Sequence, residues 1–192
     1  LDKRCPCGDF DIVYIKDEKV PRCSGRYDCK ISKKEMLIYF ASKSGLDIEG
    51  LGRETVETLI ANKLVENFED FYSLTYEELI SLPQWKEKKT QNLLEAIEKS
   101  KNSEQEKLLP ALGIRYVGKQ TSKLLVNTFG SIRNIFDAST DEINKIHGIS
   151  ESVSNSLIEW YSENTNKLLI TNLEEIGFGI SKKIQKTTGK FS

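Results

Sequence analysis

The segment Leu112-Gly113-Ile114-Arg115-Tyr116-Val117-Gly118-Lys119-Gln120-Thr121-Ser122-Lys123-Leu124-Leu125 decides how the rest of the chain is read. An apolar residue closes one helix, a short hairpin ends in glycine, and a second helix starts at once. The first N–H groups of such a helix have no intrahelical partner. With the positive end of the helix dipole they form a site for an anion, phosphate above all.

The pattern recurs. Aligned on Tyr116, the positions Gly50, Gln84, Tyr116 and Gly148 are spaced by 34, 32 and 32 residues. Ile48, Leu82, Ile114 and Ile146 stand two residues before them, and Leu51, Trp85, Val117 and Ile149 one residue after. Gly52, Lys86, Gly118 and Ser150 come next, and aliphatic pairs such as Leu59-Ile60 and Leu125-Val126 follow. Self-similarity at this period marks a repeated supersecondary unit, here helix, tight hairpin, helix. The repeat is itself doubled. Phe71–Leu79 matches Ile135–Ile143 after a shift of 64, and Thr75 with Glu78 and Ser139 with Glu142 are capping boxes. Hairpins near 48–53 and 82–87 therefore form one pair, and those near 114–119 and 146–151 another.

The 192 residues allow one or two domains, and 38% hydrophobic residues suffice for small helical cores but not for one large core. Charged residues make up 30% of the chain at a formal net charge of −1, so any affinity for phosphate must come from local arrangement rather than a basic domain. No run of 18 apolar residues and no signal peptide occurs, so the expectation is a soluble, intracellular protein without a membrane partner. Leu1 in place of an initiator methionine suggests a fragment or processed form.

All four cysteines lie early, as Cys5-Pro6-Cys7-Gly8, Cys23 and Cys29. Two close pairs separated by 15 residues suit a tetrahedral four-thiolate zinc site of structural character. Disulfides or free thiols are the alternative. The C-x-C spacing of the first pair strains a joint grip on one ion. Asp11–Ile15 and Lys19–Arg22 read as two short strands joined by a charged turn, Lys16–Glu18. Lys30 to Ser44 reads as one helix, with Ser32 as N-cap, Glu35 three residues on, and Gly45 as terminator.

These motifs, in this order, resemble the C-terminal half of bacterial NAD-dependent DNA ligases. The residues that carry the resemblance are the four cysteines, Leu46-Asp47-Ile48-Glu49-Gly50-Leu51-Gly52, Lys89–Lys101, Leu108–Gly118, Phe129-Gly130-Ser131 and Ile146-His147-Gly148-Ile149, within residues 4–178. The resemblance implies a mostly α fold: a small four-cysteine zinc ribbon at 1–30, a bridging helix at 31–45, four helix-hairpin-helix motifs in two pairs at 46–179, and a flexible tail at 180–192 leading toward an absent domain. In that family a BRCT domain usually follows. It further implies binding to double-stranded or nicked DNA, cooperation with other domains of the same ligase, and a cytoplasmic, nucleoid-associated location.

The chemistry of the hairpins agrees. Backbone N–H groups around Gly50–Arg53 and Tyr116–Lys119 can approach phosphates closely because glycine has no side chain in the way, and Gly50, Gly52, Gly118 and Gly148 are candidate DNA contacts. Phosphate contacts position a protein without reading sequence. Arg53, Lys86, Lys88, Lys89, Arg115, Lys119 and Lys123 add positive charge in or just after hairpins, and Ser150 follows the fourth. Gln84 and Lys86 depart from the glycine pattern and put the second hairpin's phosphate contact in doubt, leaving Trp85 as its core wedge. Trp160 and Tyr161 read as the apolar face of the last helix, and His147 as a polar turn residue near DNA. The acidic runs at 66–70, 77–78 and 174–175 read as helix-start or solvated charges. No catalytic constellation occurs: Lys-x-Asp-Gly, the family's adenylation motif, is absent, as are a P-loop and a Rossmann fingerprint. NAD+ and Mg2+ therefore belong to the missing catalytic domain, and this chain alone should be inactive. Two rivals remain: a non-catalytic, structure-specific DNA-binding module of a repair or junction-binding protein, and a protein-interaction scaffold that binds no nucleic acid.

Overall fold

A computed structural model describes residues 3–16 and 19–184. The chain opens with a minimal ribbon in which β1 (Ile12–Val13) pairs antiparallel with β2 (Arg22–Cys23), Ile12 opposite Cys23. The strands are shorter than expected, and part of the anticipated turn, 17–18, lies outside the described residues. A 3₁₀ turn at Arg26–Asp28 leads into α1 (Lys30–Ala41).

Helix α1 departs from the expectation at both ends. Its N-cap is Cys29 rather than Ser32, so the helix begins directly behind a cysteine of the cluster. It stops at Ala41 rather than Ser44, because the Ser42 hydroxyl and N–H both donate to the Tyr39 carbonyl, at 2.7 and 3.1 Å. Gly45 then sits against the end of the helix: a Cβ there would lie 2.3 Å from the Tyr39 carbonyl oxygen, which no side chain permits.

The remaining helices are α2 (Arg53–Ala61), α3 (Tyr76–Ile80), α4 (Glu87–Ser100), α5 (Gln105–Ala111), α6 (Lys119–Phe129), α7 (Ile132–Asp137), α8 (Thr140–Asn144), α9 (Glu151–Ser162) and α10 (Asn164–Ile176), with a 3₁₀ turn at Phe68–Ser73. Helices α1 with α2, α3 with α4, α5 with α6 and α8 with α9 pack pairwise across the four hairpins. The 64-residue shift is visible in the elements. Phe68–Ser73, α3 and α4 begin at 68, 76 and 87, and α7, α8 and α9 at 132, 140 and 151. Within each pair the hairpins cross-pack: Gly50 faces Leu93 of α4, and Gly148 faces Leu124 of α6.

The core is one continuous cluster from Leu37 to Ile180 rather than several small ones. Helix α1 reaches α5 across the two halves, and α10 lies on both α9 and the Phe68–Ser73 turn. Phe40 stacks near Phe68 and Phe71, with ring centroids 4.7 and 6.2 Å apart. Trp85 is buried as expected. Trp160 and Tyr161 belong to α9 rather than to the last helix, and Phe136 stacks on both rings. The tail does not loosen at residue 180. Ile180 is fully buried, its carbonyl accepts from Arg133 N–H at 3.2 Å, and Ile184 N–H donates to Gly130 at 2.9 Å. The rest of the expected flexible tail, 185–192, lies outside the described residues. Glu174 is not merely solvated: it is paired with Arg133 at 2.7 Å and accepts from the Ser181 hydroxyl. Asp70, from the first acidic run, accepts from the backbone N–H groups of Glu66 and Asn67 at 2.8 Å each.

Candidate nucleic-acid interface and metal centre

The four hairpins share one backbone. In each, the carbonyl of the aliphatic residue accepts the N–H three residues on: Ile48 from Leu51 at 3.1 Å, Leu82 from Trp85 at 3.2 Å, Ile114 from Val117 at 3.1 Å and Ile146 from Ile149 at 3.2 Å. The third residue of each turn has positive φ: Gly50 at 84°, Gln84 at 68°, Tyr116 at 65° and Gly148 at 89°. That is the conformation a type II turn demands at this position. Gln84 and Tyr116 adopt it despite their side chains, so the departure from glycine leaves the second hairpin's backbone unchanged.

Each turn delivers the chain to a helix whose N-cap is extended: Gly52, Lys86, Gly118 and Ser150. No side chain caps any of these four starts, although Ser150 carries a hydroxyl suited to the task. Gly52 and Gly118 have φ of −77° and −91°, values any residue tolerates, and a Cβ on either would meet nothing within 4 Å. Packing within the fold does not require glycine there. A Cβ would occupy only open space in front of the helix start.

The cations divide into two sets. Arg53 is engaged inside the protein: its Nη1 and Nη2 donate to the two carboxylate oxygens of Glu35 on α1, both at 2.8 Å, and Glu57 lies 3.6 Å away. The Arg53 hydrogen bonds hold the Glu35 carboxyl below its ordinary value. Lys86, Lys88, Lys119 and Lys123 are exposed around the starts of α4 and α6. Lys89 Nζ lies 4.3 Å from the Trp85 ring centroid. Lys86, Lys88 and Lys89 face a groove of about 1500 Å³ between the first two hairpins, walled on its far side by Lys43, Asp47 and Glu49. Arg115 is half-buried. Its carbonyl accepts from the Ser156 hydroxyl at 2.6 Å, and its guanidinium lies 4.8 Å over the Tyr116 ring. His147 is exposed at the fourth tip. The sequence assigns Tyr116 an alignment position and a backbone N–H near phosphate but no side-chain role, yet the residue is exposed at the third tip. The signal was available, since it is an aromatic residue at a position where two copies have glycine.

The four cysteines converge. Their Sγ atoms all lie within 4.8 Å of one another, with Cys5 to Cys29 and Cys7 to Cys23 both at 3.9 Å. Four sulfurs held ~2.3 Å from a tetrahedral zinc would be ~3.8 Å apart, so the cluster fits such an ion. No disulfide joins them. The C-x-C spacing is accommodated because the chain folds back, with Gly8 N–H donating to Cys5 C=O at 2.9 Å. Burial and the neighbouring thiols push Cys23 up to about 12. Burial also opposes the Cys29 thiolate, but the Ser32 hydroxyl and N–H outweigh it and bring Cys29 to about 6. For Cys5 the Cys7 N–H favours the thiolate, yet burial and adjacent thiols raise it on balance. Burial opposes an isolated thiolate in this cluster, and a cation at its centre would offset that cost. Among the described residues, these cysteines are the one cluster of three or more metal-ligating side chains, and no helix is long and apolar enough to cross a membrane.

Comparison with known proteins bears on both sites. A family described as a SAM-like helix-hairpin-helix tandem matches residues 46–99, and one described as a helix-hairpin-helix motif matches residues 107–170. A protein named DNA ligase from Geobacter metallireducens is 38% identical over 189 residues, 98% of this chain and 28% of the relative. The DNA ligase of Geobacter sulfurreducens is 36% identical with the same coverage, and that of Lysinibacillus sphaericus 33% identical over 98% of the chain and 29% of the relative. The chain thus spans between a quarter and a third of the length of these relatives. Along nearly its whole length, with its two helix-hairpin-helix domains, the chain is therefore the homologous counterpart of one part of longer proteins named DNA ligase.

Proposed function

We propose that this chain is the DNA-binding part of an NAD-dependent DNA ligase, holding a duplex around a nick through hairpin backbone contacts to phosphates. The observation that carries the reading is the pair Gly52 and Gly118: glycines that packing does not require, at helix starts that no side chain caps. A phosphate oxygen can fill the space a Cβ would take and accept from the first N–H groups of α2 or α6. Gly50 and Gly148 shape their turns. Lys86, Lys119 and Lys123 supply charge that raises affinity without reading sequence. Arg53, tied to Glu35, braces α2 against α1, and Arg115 and Ser150 stand beside the contacts of the third and fourth hairpins.

Zinc held by Cys5, Cys7, Cys23 and Cys29 would be structural, since four thiolates leave no coordination position for water. It would fix the ribbon and the start of α1. Adenylyl transfer from NAD+, its Mg2+ and the nucleophilic lysine fall to other domains of the same ligase, and the setting is the bacterial cytoplasm during replication and repair. The chain alone clamps and does not seal.

The test is fluorescence anisotropy with nicked and intact duplexes of unrelated sequences at two salt concentrations. Salt-sensitive, sequence-independent binding is expected, and a Gly118→Ala variant should bind more weakly at unchanged Tm. Salt-insensitive binding, or none at low salt even with the catalytic domain attached, would overturn the reading.

A further inference from the structure

We infer that Tyr116 is a DNA-positioning residue: its ring packs on the deoxyribose next to the phosphate held at the start of α6. The inference rests on the DNA-binding reading above and goes beyond it, because it assigns a side-chain contact to a motif otherwise read as acting through its backbone.

The argument starts from conformation. Four equivalent positions take positive φ; Gly50 and Gly148 do so without strain, whereas Gln84 at 68° and Tyr116 at 65° carry side chains, and of these two only Tyr116 is aromatic. Packing does not offset that strain. Tyr116 is 51% exposed, whereas the apolar hairpin neighbours Ile114 and Val117 are 4% and 5% exposed. On the surface the ring meets the Arg115 guanidinium, 4.8 Å from its centroid, which restricts the ring before any partner arrives. The residue stands two positions before Gly118, whose helix start is open. An anion seated on the first N–H groups of α6 would therefore bring its adjoining sugar to the ring. A deoxyribose offers an apolar face that is the same for every base, so the contact adds affinity without sequence preference. An exposed aromatic on a rigid, strained turn is suited to this role, because little side-chain freedom is lost on binding.

The experiment compares the wild-type chain with Tyr116→Gly and Tyr116→Phe, reading nicked-duplex affinity across a salt series and Tm for each. Glycine relieves the backbone, so Tm should be unchanged or higher while affinity falls roughly tenfold. Phenylalanine keeps the ring and should bind within about twofold of wild type. The slope of log affinity against log salt should be the same for all three, because the ring neutralises no phosphate. Undiminished binding by Tyr116→Gly would overturn the inference, as would a Tyr116→Phe loss equal to that of glycine, which would assign the effect to the hydroxyl. A reduced salt slope would also overturn it, since the tyrosine would then act through the phosphate contacts. A wild-type chain that binds no duplex would sink the DNA-binding reading itself, a result distinct from all of these.

Discussion

Two kinds of helix start coexist in this molecule. Helices α3 and α8 begin behind hydroxyls that do what helix caps do: Thr75 and Ser139 each accept from the N–H three residues on, and Glu78 and Glu142 return the bond. Helices α2, α4, α6 and α9 begin behind the hairpins with nothing capping them, even where Ser150 could. Both kinds lie in the same 64-residue duplication. A missing cap costs about 1 kcal/mol at each start, so the open ones lower the stability of the free chain. Helices α1, α5 and α10 also start without a side-chain cap, so openness alone marks no site; under the proposed function, the hairpin starts are those that keep their donors for a phosphate.

The largest effect on the fold should come from the metal centre, where α1 has a cysteine of the cluster as its N-cap. Strong chelation, or Cys29→Ser, should release one zinc per chain and abolish hydrogen-exchange protection in the ribbon and first turn of α1. Helices α3 to α9 should stay protected. Loss of protection throughout would show that the hairpin domain has no stability of its own.

Next comes the conversion of an open start into a capped one. Gly118→Asp puts a good N-cap and a negative charge where the phosphate is expected. Tm should rise slightly, and affinity for nicked duplex should fall on the order of a hundredfold. An aspartate that stabilises the chain without weakening binding would erase the distinction between the two kinds of start. The milder Gly118→Ala, whose Cβ meets no protein atom within 4 Å, should cost roughly fivefold in affinity and little in Tm.

The converse change removes a cap. Thr75→Ala or Ser139→Ala should lower stability by about 1 kcal/mol, a Tm drop of roughly 2–4 °C in a chain of this size, with affinity unchanged. A loss of binding by either would mean that capped helices also face the partner.

The smallest effect is that of acid. Ser139 backbone and hydroxyl groups lower Glu142; Arg53 lowers Glu35; and the Ser181 hydroxyl, then Arg133, lower Glu174. Each carboxyl is more acidic in the folded chain than its ordinary 4.5, so its contribution is fully present above that pH and is lost as pH falls below it. The two arginine pairs are partly exposed, so solvent screening keeps each contribution small. In thermal melts between pH 6 and 3, the part of the stability that these three carboxyls supply should decline only below about 4.5, and Glu174→Gln should shrink that part.

The sequence by itself determined the hairpins, their pairing, both capping boxes and the grouping of the cysteines. These features are local. A turn, a cap or a repeat is dictated by residues within a few positions of one another, and four copies reinforce the reading. What only the tertiary structure decided depends on groups distant in the chain. Arg53 looked like a free cation until Glu35, on another helix, was found holding it with both oxygens. Ile180 looked like the start of a loose tail until its carbonyl met Arg133. Gln84 looked like a break in the second hairpin, but the buried Leu82 and Trp85 fix the same turn whatever stands between them. The most informative case is Gly118: the letter G fits equally a position forced by φ and one kept clear for a ligand. Only the built backbone, with φ at −91° and empty space in front of it, separates the two.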